Sequence, residues 1–355
     1  MSKSYEELAS RPIFFERNRV FRIYQGGALF HPLFGDPAAD NNHPEEWIAS
    51  SVKALNKIPE GEHEGVSRVA GTDVYLDELI EAEPALVLGD RKDVGILVKA
   101  LDSAVTLPIQ THPTKAFSRE HFHVNYGKTE SWLVLDTRPG ATIGYGFKRP
   151  VTQEEFKTAV HASETDKDAV ASLLNFIPVQ KGDVYLIPAG MVHAIGAGCL
   201  MLEVQEPTDF TIQPEEWFGD YHLDENERFI GLDEDTALSC FDYSMVGEKA
   251  VRRGKMIPVV LSETDAVRSE QLIGYDDTPC FALRRHTLKN GGEFCPAAGP
   301  AVFLVGEGGG VIAQDGWSRE LRKGDYFLLP FAAAGKCAVR TDGELTLLEC
   351  LPPRE

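Results

Sequence analysis

Several short segments carry metal-binding or charged side chains at spacings that give them a common direction. In Leu107-Pro108-Ile109-Gln110-Thr111-His112-Pro113, Gln110 and His112 are two residues apart, so on a strand both point to one face. An amide oxygen and an imidazole can then share one cation. Lys128 and Glu130 repeat that period in Gly127-Lys128-Thr129-Glu130, and Glu130 opens the apolar run Ser131-Trp132-Leu133-Val134-Leu135. His193 follows a Pro188-Ala189-Gly190 turn at a strand end, where a rigid scaffold can aim a side chain into a cavity. Gln110, His112, Glu130 and His193 together offer two nitrogens and two oxygens. That set suits a divalent borderline cation such as zinc, with a position left for water or substrate. Each residue has an ordinary reading as well, His112 as a strand-end cap before Pro113 and Gln110 as a surface residue; only the combination favours a metal. His121 and His123 are also two apart, but their polar surroundings, Ser118 to Lys128, read as a helical turn or loop.

The elements that must position these residues are short strands broken by Gly, Pro, Asp and Asn. Residues 95–102, 106–112, 130–136, 141–147, 183–190, 199–205 and 209–213 fit that pattern, which predicts a sandwich or barrel. Between them, residues 151–178 read as two short helices, the first with Thr152 as N-cap and Glu155 in capping-box position. Another helical pattern covers Val74 to Ala82. A second series of strands starts near Pro258 and runs to Leu351. The two series share an internal echo: Gly182-Asp183-Val184-Tyr185-Leu186-Ile187-Pro188 matches Gly324-Asp325-Tyr326-Phe327-Leu328-Leu329-Pro330. The first copy leads to His193, whereas the second leads to Phe331-Ala332-Ala333-Ala334-Gly335, which has no ligand.

A length of 355 residues predicts two or three domains. The 35 basic against 55 acidic residues give a formal charge of -20, which repels phosphodiester backbones and anionic membranes, so no nucleic-acid or membrane partner is expected. No run approaches the roughly 18 apolar residues of a membrane span. Residues 1–12 contain no apolar signal core, and a cytoplasmic protein is expected. Six cysteines are scattered without a Cys-x-x-Cys pair; they read as reduced and mostly buried, forming neither a disulfide framework nor a thiolate zinc site.

The stretch from Gly182 through Pro188 and Gly190 to His193 resembles the second motif of the cupin superfamily, small jelly-roll barrels that hold a metal with histidines and a carboxylate. Residues 109–113, 126–136, 188–198 and 202–212 resemble the type I mannose-6-phosphate isomerases in their shorter bacterial form, as do residues 45–51 and 96–113. The resemblance covers most of the chain to about residue 215. It implies a mainly β protein of two jelly-roll (cupin) β-barrel or sandwich domains. The first, residues 1–247, would bind metal and contain the helical insertion at about 150–175. The second, residues 248–355, would lack ligands and pack on the first.

The resemblance also implies one Zn2+ per chain, held by Gln110, His112, Glu130 and His193, with Lys99, Lys128 and Asp209 in the active site. Where the family has an Arg four residues after that Asp, this chain has Gln213, exchanging a fixed cation for a neutral amide. The implied activity is zinc-dependent aldose-ketose isomerisation of mannose 6-phosphate and fructose 6-phosphate through an enediol. The alternatives that Gln213 raises are an isomerase of a related or unphosphorylated sugar, or a non-catalytic sugar-phosphate-binding cupin. Such chemistry needs a Lewis acid or positive charge near two oxygens and a base to shuttle a proton. A neutral lysine, a carboxylate and metal-bound hydroxide all remain open as the base. Lys115 and Arg119, after the His112-Pro113 turn, are nearby cations to which no phosphate-binding role is assigned. Oligomeric state is not set by the sequence.

Overall fold

The computed structural model describes residues 4–354. Alternation along the strands organises it. In Cys199–Gln205 every residue is buried. Cys199 and Met201 pack on one side, while Leu200, Leu202 and Val204 pack on the other. A strand covered on both faces belongs to a sheet packed between two layers. It is the fourth strand of a seven-stranded antiparallel sheet in the order Lys255–Met256, Val184–Ile187, Glu130–Thr137, Cys199–Gln205, Leu97–Ser103, Glu45–Ile48, Arg19–Val20.

The inner face of this sheet carries Trp132, Val134, Tyr185, Ile187 and Met201. They pack against Ile143, Tyr145 and Ile195 of a three-stranded sheet formed by Leu174–Pro178, Thr142–Phe147 and His193–Ile195. These two sheets form the sandwich that holds the site. The outer face, with Val98, Leu133, Leu200, Leu202 and Val204, packs on Leu272, Leu283, Val302, Leu304, Leu328 and Leu348 of a ten-stranded sheet. The long strand Ala301–Gln314 pairs in its first part with Tyr326–Leu329 and in its second with Trp317–Arg322 and Ala338–Arg340. This second sandwich closes over Phe303, Ile312, Leu321, Phe327 and Val339. Mainly antiparallel β structure, as expected from sequence, is therefore what forms. The chain also crosses between the sheets. Ile13–Phe14 pairs with Phe327 and Leu328, and Lys255–Met256 pairs with Val184 and Tyr185.

Helix Gln153–Ala162 forms with its Thr152/Glu155 capping box. The second helix expected in the insertion does not. A 3-10 turn, Ala171–Leu173, leads directly into the strand Leu174–Pro178, whose alternating residues pair with Thr142–Phe147. Available ladder partners outweighed a weak helical pattern. All six cysteines are free thiols, five of them buried and Cys295 exposed. No helix among the described residues is long and apolar enough to cross a membrane.

A fragment ending at Gly247 loses nine strands of the ten-stranded sheet and leaves the leucine-rich outer face uncovered. That exposes Val98, Leu133, Leu200, Leu202 and Val204 as one contiguous apolar face, of the kind that monomers rarely leave open. The fragment is expected to aggregate; a monomeric fragment with native circular dichroism by light scattering and spectroscopy would contradict this packing.

Candidate metal centre and cavity

Three stretches of backbone are stitched together at one end of the inner sandwich. The N–H groups of Gln110 and His193 each donate to the other's carbonyl at 2.9 Å, and Thr111 and Ile212 do the same at 3.0 Å. Gly190 turns the chain into His193 with φ +90°, and a Cβ there would lie 3.3 Å from the Cys240 carbonyl oxygen. Its N–H donates to the His112 carbonyl at 2.8 Å, which ties the two histidine segments together. A left-handed residue in close contact calls for glycine.

The structure brings His112, Glu130 and His193 together, with one ligand atom from each lying within 4.8 Å of the others. His112 Nε2 is 3.2 Å from Glu130 Oε2, and His193 Nε2 is 3.3 Å from Glu130 Oε1. His112 Nδ1 lies 2.9 Å from the Phe210 carbonyl and His193 Nδ1 lies 2.8 Å from the Met191 carbonyl. A carbonyl only accepts, so both rings carry their proton on Nδ1 and turn an Nε2 lone pair inward. Burial and the neighbouring Lys128 ammonium push the His112 imidazole down to about 3, keeping it neutral. Burial opposes ionisation of Glu130, but the Lys128 ammonium overcomes it and holds the carboxyl well below its usual range. Glu130 Oε1 and His193 Nε2 are buried without a hydrogen-bond partner. Two acceptors facing each other in a dry site fit a cation between them. Gln110 lines the cavity beside this cluster.

Lys128 Nζ reaches Glu130 Oε2 at 2.8 Å and His112 Nε2 at 2.7 Å. From there, charged residues continue along the inner face of the sheet. The cross-strand row Trp47, Lys99, Glu203, Trp132 places Lys99 3.3 Å from Glu203. Lys99 also lies 3.7 Å from Glu45 and 3.9 Å from Asp209. Burial lowers its proton affinity, yet those carboxylates reverse the balance and hold it above the usual lysine range. Burial and the Glu130 charge push the Glu203 carboxyl up, and Trp132 Nε1 donates to it at 3.1 Å. Lys99, Lys128, Gln110, Glu45, Glu203, Asp209 and Gln213 all line one cavity of about 720 Å³. Lys99 is an interior residue, not a solvated strand-edge lysine.

Gln213 brings no charge; its Nε2 donates to the Glu227 carbonyl at 3.2 Å. Lys115 is paired with Glu206, and neither it nor Arg119 lines the cavity. His121 ends the helix Lys115–His121, outside the metal cluster. Glu45, Glu203 and Arg22 are cavity residues that sequence reasoning missed. Glu203 had a legible signal, as a lone charge on the inward parity of an otherwise apolar strand. Arg22 had none, since only tertiary contacts carry it to the cavity.

No family model matches this sequence. Among described proteins, the mannose-6-phosphate isomerase of Streptococcus mutans is 28% identical over 324 residues, covering 90% of this chain and 93% of that protein. Mannose-6-phosphate isomerase ManA of Bacillus subtilis is 27% identical over 329 residues, covering 91% and 94%. The chain is similar to mannose-6-phosphate isomerases over nine-tenths of its length. The solved mannose 6-phosphate isomerase of Bacillus subtilis superposes with a TM-score of 0.74 at 25% identity, over 96% of this chain and 99% of that one. The apo enzyme of Salmonella typhimurium, at 15% identity, shares the fold with a TM-score of 0.68 over 97% of this chain and all of that one.

Replacing His193 with Ala removes one ligand and leaves the sheets intact. Bound divalent metal, measured by elemental analysis after dialysis, is expected to fall from about one equivalent to near none. A separate titration is written into Glu215, whose carboxylate accepts from the Ile109 N–H at 2.9 Å. Burial pushes its carboxyl up from 4.5 to about 7. The folded form therefore keeps this proton where the unfolded chain has lost it. Its contribution to stability falls as pH rises from about 4.5 to about 7 and stays low above. Glu215→Gln keeps the acceptor and is expected to gain roughly 3 kcal/mol over the parent at pH 8, and little at pH 4, in urea unfolding.

Proposed function

We propose that this chain is a metal-dependent aldose-ketose isomerase that interconverts mannose 6-phosphate and fructose 6-phosphate. The carrying observation is the buried His112, Glu130 and His193 cluster, with its unpartnered inward atoms, beside a cavity lined by Lys99, Lys128 and the raised carboxyl of Glu203. The similarity to mannose-6-phosphate isomerases supports the same reading. Gln110, His112, Glu130 and His193 would hold the metal, and the two-nitrogen, two-oxygen set favours zinc, one per chain. A divalent ion held there would supply Lewis acidity at the reacting end of the sugar.

The chain's own residues do the rest. Lys128 and Lys99 are fixed cations, and negative charge developing on the sugar's two oxygens is stabilised by them. Lys99, held protonated by three carboxylates, is excluded as the base. Glu203 fits that role because burial makes its carboxylate a stronger base than a surface glutamate. It takes the proton from C2 of the aldose; the C–H electron pair becomes the C1–C2 double bond and the C1 carbonyl oxygen gains the charge. The O2 hydroxyl proton passes to O1; the electrons left on O2 then form the C2 carbonyl while the C1–C2 double-bond pair takes the proton back from Glu203 at C1. Asp209, 3.9 Å from the Lys99 ammonium, helps to hold it in place.

The neutral Gln213 favours a second reading, isomerisation of an unphosphorylated sugar. Turnover of mannose 6-phosphate by zinc-loaded protein, with free mannose and chelator-treated protein in parallel, decides between them. Metal-dependent conversion of the phosphosugar is expected, and preference for free mannose would favour the second reading. Glu203→Gln should lower kcat by about 10²- to 10⁴-fold with metal content unchanged; a smaller effect would remove Glu203 as the base.

A further inference from the structure

The cations of the cavity are graded by depth. Side-chain exposure is 4% for Lys128 and Lys99, 12% for Arg22 and 52% for Lys57. Lys128 is committed to the metal ligands and Lys99 to Glu45, Glu203 and Asp209. Arg22 stands further out, where the segment Leu55 to Ile58 forms part of the lining. Its Nε donates to Glu45 at 3.0 Å, its Nη2 to Glu45 at 3.3 Å and to Asp209 at 3.1 Å, and its Nη1 to Asn56 Oδ1 at 2.8 Å. Four of its five N–H groups are thereby fixed, and the remaining Nη1 hydrogen has no partner among the described residues. Asp209 also accepts from the Leu55 N–H at 2.9 Å, so the segment carrying Asn56 and Lys57 is anchored to the same carboxylate.

We propose that Arg22, with Asn56 and Lys57, forms the subsite for the terminal phosphate of the substrate, which enters with its reacting carbons toward the metal cluster. This rests on the reading of the substrate as a sugar phosphate. Charge allows it. The two carboxylates that brace Arg22 are shared with Lys99, so that group of four is neutral. Lys57 is held at the mouth by Asp224 at 2.6 Å and Glu227 at 3.2 Å. Such exposed pairs are weak and exchange readily for a doubly charged ligand. Arg228, the other arginine near Gln213, is not available. It is tied to Glu216 at 2.6 Å and the Pro214 carbonyl at 2.8 Å, and it does not line the cavity. A guanidinium held in a fixed plane by carboxylates presents its one free N–H and its charge to phosphate with little further ordering.

The test is calorimetric binding of inorganic phosphate to metal-loaded protein, which needs no turnover. Lys57→Glu, a surface change that leaves the buried network intact, is expected to weaken phosphate at least tenfold. Arg22→Gln should weaken it more and Arg22→Lys less. Unchanged affinity in both Lys57→Glu and Arg22→Gln, or no phosphate binding by the parent protein, overturns the subsite. A parent protein that binds phosphate through Arg22 but fails to convert mannose 6-phosphate would refute the catalytic reading and leave the subsite standing.

Discussion

Burying charge without leaving it unpaired is the constraint on which the rest of this molecule depends. The interior of the first sandwich contains Arg22, Lys99, Lys128, Glu45, Glu130, Glu203 and Asp209, each of which would be costly in isolation. They are tolerable because each faces an opposite charge across a short gap: Lys128 meets Glu130, Lys99 meets Glu45, Glu203 and Asp209, and Arg22 meets Glu45 and Asp209. Pairing fixes protonation states as well as positions. Lys99 stays an ammonium and Glu45 a carboxylate, whereas Glu203 is left with a raised proton affinity.

Such a network needs rigid walls, and the two-faced sheet provides them. Along Cys199–Gln205 and Glu130–Thr137, one parity faces the charged interior and the other is clamped by the ten-stranded sheet. Trp47 and Trp132 bound the charged row within the sheet, and the Trp47 ring lies 4.9 Å from the Lys99 ammonium. The second sandwich has no metal cluster among the described residues; it keeps the central strands dry on their outer face. A low-dielectric site is worth more to a reaction that develops negative charge than the same groups in water.

The segment Pro207 to Gln213 links the two ends of the cavity. The Phe210 carbonyl accepts from His112 Nδ1 and so sets the tautomer of a metal ligand, while Asp209 next to it braces Arg22, Lys99 and the backbone of Leu55. Its pairing through Thr111 and Ile212 holds that register against the Gln110–His193 bridge. The geometry at the metal and the placement of the outer cations are therefore set by one short piece of chain.

The sequence by itself determined the β architecture, the spacing of two within Gln110/His112 and Lys128/Glu130, and the turn before His193, although Gln110 and Thr111 form only isolated bridges and Lys128 precedes the strand that Glu130 opens. A period of two and a Gly-containing turn act over a few residues, and local sterics decide them. It determined less in the insertion, where residues 171–178 carried a helical pattern that pairing with Thr142–Phe147 overrode. The tertiary structure alone decided that Lys99 lies in the interior, that Gln213 spends its amide on a backbone carbonyl, and that Arg22, 187 residues from Asp209, supplies a guanidinium to the cavity. Long-range ion pairs leave no periodic trace in a chain, because their partners are chosen by how the sheets and loops close.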